Sequence, residues 1–117
     1  VGLFESPTGD ARRTMKIWIA TGGDPSLEFG RWHTHASLLS TIEDPFGHAS
    51  LIDVISAIFK DDFVLVEEFG QMDGQHVEDA FGLDLRDPDA ILDYQTDPYS
   101  LDSARLLSWS GTRDQQL

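Results

Sequence analysis

Alternation of apolar and polar positions first appears at Met15-Lys16-Ile17-Trp18-Ile19-Ala20, where Met15, Ile17 and Ile19 fall on one side. Such a period of two predicts a strand. Thr21-Gly22-Gly23-Asp24-Pro25-Ser26 has the chemistry of a turn, and the alternation resumes from Leu27 to His35. The short separation predicts an antiparallel pair. On the second strand the same period places Leu27, Phe29, Arg31, His33 and His35 on one side, with Trp32 and Thr34 on the other. The period then lengthens. Leu51, Val54, Ile55, Ile58 and Phe59 recur at helical spacing, opposite a polar stripe of Asp53, Ser56 and Lys60. Asp44-Pro45 is the expected start of that helix, with Asp as N-cap and Pro in the first turn. Phe63 to Phe69 predicts a third strand, and Asp73-Gly74 a turn into a fourth from His76 to Phe81. Asp87-Pro88-Asp89 is expected to cap a short helix through Tyr94, followed by a loop around Thr96-Asp97-Pro98-Tyr99. A last strand is expected from Ala104 to Trp109, closed by Ser110-Gly111-Thr112.

The order of elements indicates an α+β fold: a single domain over residues 1–117, mainly antiparallel sheet, with one principal helix packed on one face. Residues 1–13 and 113–117 carry no sustained period and are expected to be loosely ordered. A chain of 117 residues, 40% hydrophobic, fits one core and not two. No apolar run approaches the roughly 20 residues needed to cross a bilayer, so no membrane association is expected. Neither a basic segment nor an apolar segment of the kind that opens a secretory leader stands at the start. The first residue is Val1 and not methionine, so a trimmed leader is compatible with the sequence. Cysteine is absent, which excludes disulfides and thiolate metal sites and suits a reducing cytoplasm.

Charge changes the picture most. Lys and Arg number 8 against 21 Asp and Glu, a net charge of -13, and Asp61 to Asp102 holds 13 acidic residues against one basic, Arg86. Such a surface repels phosphate backbones, and the only basic cluster is Arg12-Arg13 with Lys16, so nucleic acid is not an expected partner. A macromolecule of opposite sign is, because a dense acidic face steers it into encounter. Phe81, Tyr94, Tyr99 and Trp109 lie among or near these acids and are candidates for anchoring an interface or for filling the core.

Candidate chemistry is sparse. His33-Thr34-His35 puts two imidazoles on one strand face, where they could share a metal ion with His48, Glu43 or Asp44 as third ligand. Two known metal patterns fail against it. JAMM-type metalloproteases require His-x-His-Pro with later Ser and Asp, and here Ala36, Glu43 and Phe46 occupy those places. Cupins require a Glu three or four residues on, where Leu39 and Ser40 stand. The competing reading is that both histidines are structural and that His76, in an acidic stretch, is solvated. No Gly-x-Ser-x-Gly elbow occurs, and Gly22-Gly23 precedes no helix and so cradles no phosphate. Glu67 and Glu68, adjacent on a strand, point to opposite faces, which is wrong for paired acid–base work; they are expected to be solvated charges.

Phe29-Gly30-Arg31-Trp32-His33-Thr34-His35 and Trp109-Ser110-Gly111-Thr112-Arg113-Asp114 together resemble the paired W-H-x-H and S-W-x-G blocks of a group of small bacterial proteins. That group is associated with the immunity proteins of polymorphic-toxin and contact-dependent inhibition systems. Where it often continues with an aromatic–acidic pair, this chain has Ala36-Ser37. The resemblance implies a non-enzymatic acidic protein that binds and neutralises a cognate, basic, nuclease-like toxin, without cofactor, as a monomer or weak homodimer in the cytoplasm. It carries over no catalytic residue. From the charge distribution, Asp61, Asp62, Glu67, Glu68, Asp73, Glu78 and Asp79 are the expected partner-binding residues. The alternative is a small metal-binding domain or metal-dependent hydrolase using His33, His35 and His48.

Overall fold

A computed structural model describes residues 2–98 and 100–117. The strand expected from Met15 forms as β2 (Met15–Ile19), with the edge strand β1 (Gly2–Phe4) beside it. The segment from Leu27 to His35, expected as one strand, is two: β3 (Pro25–Phe29) and β4 (Trp32–His35). They form a hairpin around Gly30-Arg31, in which Phe29 opposes Trp32 and Leu27 opposes Thr34. Gly30 makes the fold-back possible, with φ 59 and a position where an added Cβ would lie 2.4 Å from the Arg12 carbonyl oxygen. The hairpin overturns the expected sidedness. Trp32 and Thr34 share the core face with Leu27 and Phe29, while His33 and His35 stand opposite Glu28 and Ser26 on the outer face. Across a two-residue loop the paired residues i and i+3 share a face, so the alternation switches parity between Phe29 and Trp32, and one period extended through the turn puts the histidines on the wrong side.

The principal helix, α1 (His48–Phe59), starts later than Asp44-Pro45 predicts. Gly47 is its N-cap at φ 68, and Asp44 caps from outside, its Oδ2 accepting the Ala49 N–H at 2.7 Å. Gly47 is pressed against the preceding 3-10 turn, Ala36–Leu39, so closely that a Cβ there would lie 1.8 Å from the Ala36 carbonyl oxygen. At the other end Asp61 adopts the left-handed conformation at φ 62. The Asp62 N–H then reaches the Ala57 carbonyl and the Asp61 N–H that of Ile58, a Schellman closure usually given to glycine. Leu51 and Ile58 carry the helix into the core, beside Met15, Leu27 and Phe29 from the first sheet, Leu65 and Leu107 from the second, and Trp109 just past its third strand in sequence.

Nothing in the sequence pattern separates that second sheet from the first. It contains β5 (Phe63–Met72), β6 (Gln75–Asp84), β7 (Ser103–Leu107) and β8 (Gln115–Gln116), all antiparallel, in the order β6-β5-β7-β8; the first runs β1-β2-β3-β4. Asp73-Gly74 joins β5 to β6 as expected, with φ 53 and 79, the pair of positive values of a type I′ turn. The short helix α2 (Ala90–Gln95) follows β6 on the face of the sheet away from α1. The fold is therefore α+β and mostly sheet, with one main helix. Among the described residues no helix is long and apolar enough to cross a membrane.

The two end segments, expected to be loosely ordered, hold each other. Arg13, 5% exposed, closes the 3-10 turn Ala11–Arg13. Its guanidinium donates to the Ser108 carbonyl at 2.7 Å and to both carboxylate oxygens of Asp114 at 2.5 Å. Asp114 in turn accepts the Ser108 N–H, and β8 pairs with β7 beyond it. A buried cation without these acceptors would be costly, so Arg13 recruits both ends of the chain. Burial pushes the Asp114 carboxyl up, but the bonds from Arg13 and Ser108 outweigh it and hold it below its usual value. Arg12, with Arg13 behind it, holds Asp10 well below the usual carboxylate range.

Gly47→Ala should lower stability by more than about 2 kcal/mol in urea unfolding, because strain and a backbone clash add. Gly22→Ala, also at positive φ but with nothing within 4 Å, should lose only about 1 kcal/mol. Because the Asp10 and Asp114 carboxyls are both depressed, their stabilisation is complete above the ordinary value of 3.8 and is lost as pH falls through the lower folded values. Asp114→Asn should reduce stability at pH 7 and flatten the acid limb of a pH–stability curve.

Candidate functional site

The histidines are placed but not assembled. His33 and His35 are neighbours on the outer face of β4, with ring centroids 5.6 Å apart. His35 Nδ1 is engaged by Ser26 Oγ at 2.5 Å, and its ring meets Trp18 edge-on. His48 stacks on Phe46 at the start of α1. Among the described residues no group of three or more His, Asp or Glu is placed to hold a metal ion, so the trio of the alternative reading, His33, His35 and His48, is not brought together. His76 is exposed and bonded to Glu78 Oε1 at 3.0 Å.

Nor do the seven expected partner-binding acids form one face. Asp61 is spent on structure: its carboxylate takes the Ser110 N–H at 2.9 Å and the Ser110 hydroxyl at 2.5 Å. Asp62 lies 3.7 Å from Arg113. Asp73 occupies the tip of the β5–β6 hairpin, and Asp79 is exposed on β6. Glu78, on the same strand, is held by Arg31 at 2.6 Å across the gap between the sheets. Glu67 and Glu68, expected as solvated charges, are only 2% and 7% exposed. They are buried because β5 is the strand between β6 and β7, and both of its faces are covered. Glu67 is committed to an internal bond, and Glu68 is reached only through a cleft beside α2.

The two buried acids are satisfied differently. Glu67 faces its cross-strand neighbour Arg105, whose Nε donates to Oε1 at 3.0 Å; Arg105 also lies over the Phe69 ring. Glu68, on the opposite face, has no cation within ion-pair distance among the described residues. Its Oε2 accepts the Tyr94 hydroxyl and the Leu101 N–H, each at 2.8 Å. Burial first, and then the Glu68 carboxylate, push the Tyr94 phenol far above its usual value, so the tyrosine remains a donor.

Around Glu68 the second sheet and α2 enclose a cleft of about 550 Å³. Phe81 and Leu83 of β6 floor it, and Ala90 and Tyr94 of α2 form its wall. The Phe81 and Tyr94 rings lie 5.4 Å apart, tilted against each other. Four further carboxylates, Asp84, Asp87, Asp93 and Asp97, stand around this apolar lining. Asp84 is drawn down by the guanidinium of Arg86, which also reaches Asp53. Of the four aromatics that lie among or near the acids in sequence, Phe81 and Tyr94 thus meet at the cleft. Trp109 is buried in the core against Phe29 and Phe59, and Tyr99 lies outside the described residues. The acids around the cleft are visible in the sequence only as part of a long acidic stretch. Their convergence depends on α2 folding back over β6, which no spacing announces.

Comparison with protein-family models, with curated proteins and with solved structures returned no match. What the site offers rests on its own geometry: a concave, half-apolar, strongly anionic surface suited to a cationic group with an apolar stem.

Replacing Tyr94 by Phe keeps the ring against Phe81 but leaves the buried Glu68 with one donor fewer. The variant should lose about 1–2 kcal/mol in chemical denaturation. Because the Tyr94 value is raised on folding, its stabilisation should decline as pH rises past the ordinary 10.0, and Tyr94→Phe should remove that part of the alkaline limb.

Proposed function

We propose that this protein is a non-enzymatic binder that neutralises a basic partner protein, of the kind the immunity-protein resemblance implies: a cognate bacterial toxin with a cationic working surface. The observation that carries this reading is the cleft between the second sheet and α2, where five carboxylates surround an apolar lining in a chain of net charge -13. A cationic surface is drawn to such a face over about a Debye length, roughly 8 Å at physiological salt, and the aromatic lining gives it something to grip on arrival. Carboxylates in this role occupy positions that nucleic-acid phosphates would take on the partner. The reading places the action in the cytoplasm, where a chain without cysteine loses nothing to reduction.

The contact set differs from the one the charge distribution implied. Asp87 and Asp93 border the cleft and are exposed, with Asp79 nearby on β6 opposite Glu68, whereas Asp61 and Glu67 are committed to internal bonds. Capture of the protein encoded beside this chain's gene should give a tight complex whose association rate falls about tenfold or more between low and high salt. Charge reversal at Asp87 and Asp93 should slow association more than it speeds dissociation, and reversal at Asp62 should do neither. Failure to capture any neighbour-encoded protein, or association indifferent to salt, would sink the proposal.

A further inference from the structure

Glu68 poses a question the binding reading does not answer. Its side chain is more than nine-tenths buried and lines the cleft, yet no cation lies within ion-pair distance among the described residues. The nearby basic residues are committed elsewhere: Arg105 to Glu67 on the other face of the sheet, and Arg86 to Asp84 and Asp53. Both hydrogen bonds to Glu68 converge on Oε2, from Tyr94 and from Leu101, and Oε1 receives none among the described residues. Adjacent Glu67 shows what this sheet does with a buried carboxylate when a counter-ion is built in. At Glu68 the described residues supply two neutral donors and no counter-ion, and its side chain lines the cleft.

Building on the proposed function, we infer that the cleft is the seat of one arginine side chain from the partner polypeptide, its guanidinium reaching Glu68 Oε1. Three features select arginine. Phe81 and Tyr94 line the cleft with two aromatic rings, a surface that suits a planar guanidinium, whereas a lysine ammonium is a compact, strongly hydrated point charge. Guanidinium is the more weakly hydrated cation, so it enters a partly dry cleft at lower cost. Leu83 and Ala90 offer apolar surface to the three-carbon stem, while Asp87 and Asp93 sit where the approaching charge is first felt. Tyr94 fixes the orientation: by holding Oε2 it leaves Oε1 as the acceptor that faces the occupant.

The test uses the full chain and small probes, so it needs no identified partner. N-acetyl-arginine amide, its lysine counterpart and N-acetyl-citrulline amide, which keeps the arginine shape without the charge, are titrated while amide resonances are followed by NMR. The arginine probe should move the Leu101, Phe81 and Leu83 amides saturably, more tightly than lysine, and citrulline should leave them in place. Glu68→Gln, which retains an acceptor for Tyr94 and Leu101, should weaken the arginine probe by about tenfold. Asp93→Asn, an isosteric change at an exposed position of α2, should weaken it less. An equal response to citrulline, a preference for lysine, or affinity unchanged in both variants would overturn the inference. The two readings fail separately. If the probe is not bound but a basic partner is still captured in a salt-sensitive complex, the arginine seat falls and the proposed function stands. If the probe is bound but no partner is captured, the seat stands and the proposed function falls.

Discussion

The constraint on which the rest of the structure turns is that β5 must bury both faces while carrying two adjacent carboxylates. One face of the strand sends Leu65 into the core beneath α1 and the first sheet, and the other sends Val64 and Val66 into a second layer. Glu67 and Glu68 follow the same alternation and are pulled inside with them. Burying an ionised carboxylate is costly unless charge or hydrogen bonds replace water. On the first face Arg105, directly opposite in β7, supplies the charge. On the second, α2 and the chain before β7 supply two neutral donors, and the described residues bring no cation. The same central strand thus makes one carboxylate structural and the other available.

The remaining architecture holds that strand in place. Trp32 and Phe63 lie 5.1 Å apart where the first sheet meets the second, over Gly82, where an added Cβ would come within 2.2 Å of the Phe63 ring. Arg13 and Asp114 tie the segment before β2 to the segment after β7, so the core is closed by an ion pair at the point where the apolar residues run out. Phe4 against Phe59, and Phe59 against Trp109, continue the closure as an aromatic chain from β1 through α1. A rigid scaffold of this kind suits recognition, because a preformed cleft loses little on binding to the ordering of its own side chains.

Net charge and local charge have separate roles here. The figure of -13 describes a field felt at a distance, which affects how fast a cationic partner arrives. Several individual acids are already engaged and add only to that field: Asp10 by Arg12 and Arg13, Asp24 by Ser37, Glu78 by Arg31, Asp114 by Arg13. What distinguishes the cleft is not the number of carboxylates but the combination of charge with aromatic surface and concavity.

The periodicities were enough for β2, α1, the β5–β6 hairpin and the α+β class, since a strand or helix with one buried face writes that face into its own residues. They failed where two segments interact without local trace. The turn at Gly30-Arg31 switches the alternation between Phe29 and Trp32, so a single period carried from Leu27 to His35 put both histidines on the face of Leu27 and Phe29, when they stand on the other. Charged residues read as solvated, Glu67 and Glu68, were buried because the strand that carries them is central, a fact about neighbours in space. The ends read as loose were ordered by Arg13 and Asp114, partners a hundred residues apart along the chain. Composition announced an acidic protein with aromatics in its second half; only tertiary folding decided that Phe81, Tyr94 and Glu68 would share one cleft while Trp109 went to the core. Local pattern records which side of an element is apolar, and the meeting of those sides depends on loop geometry and long-range pairing that single positions do not encode.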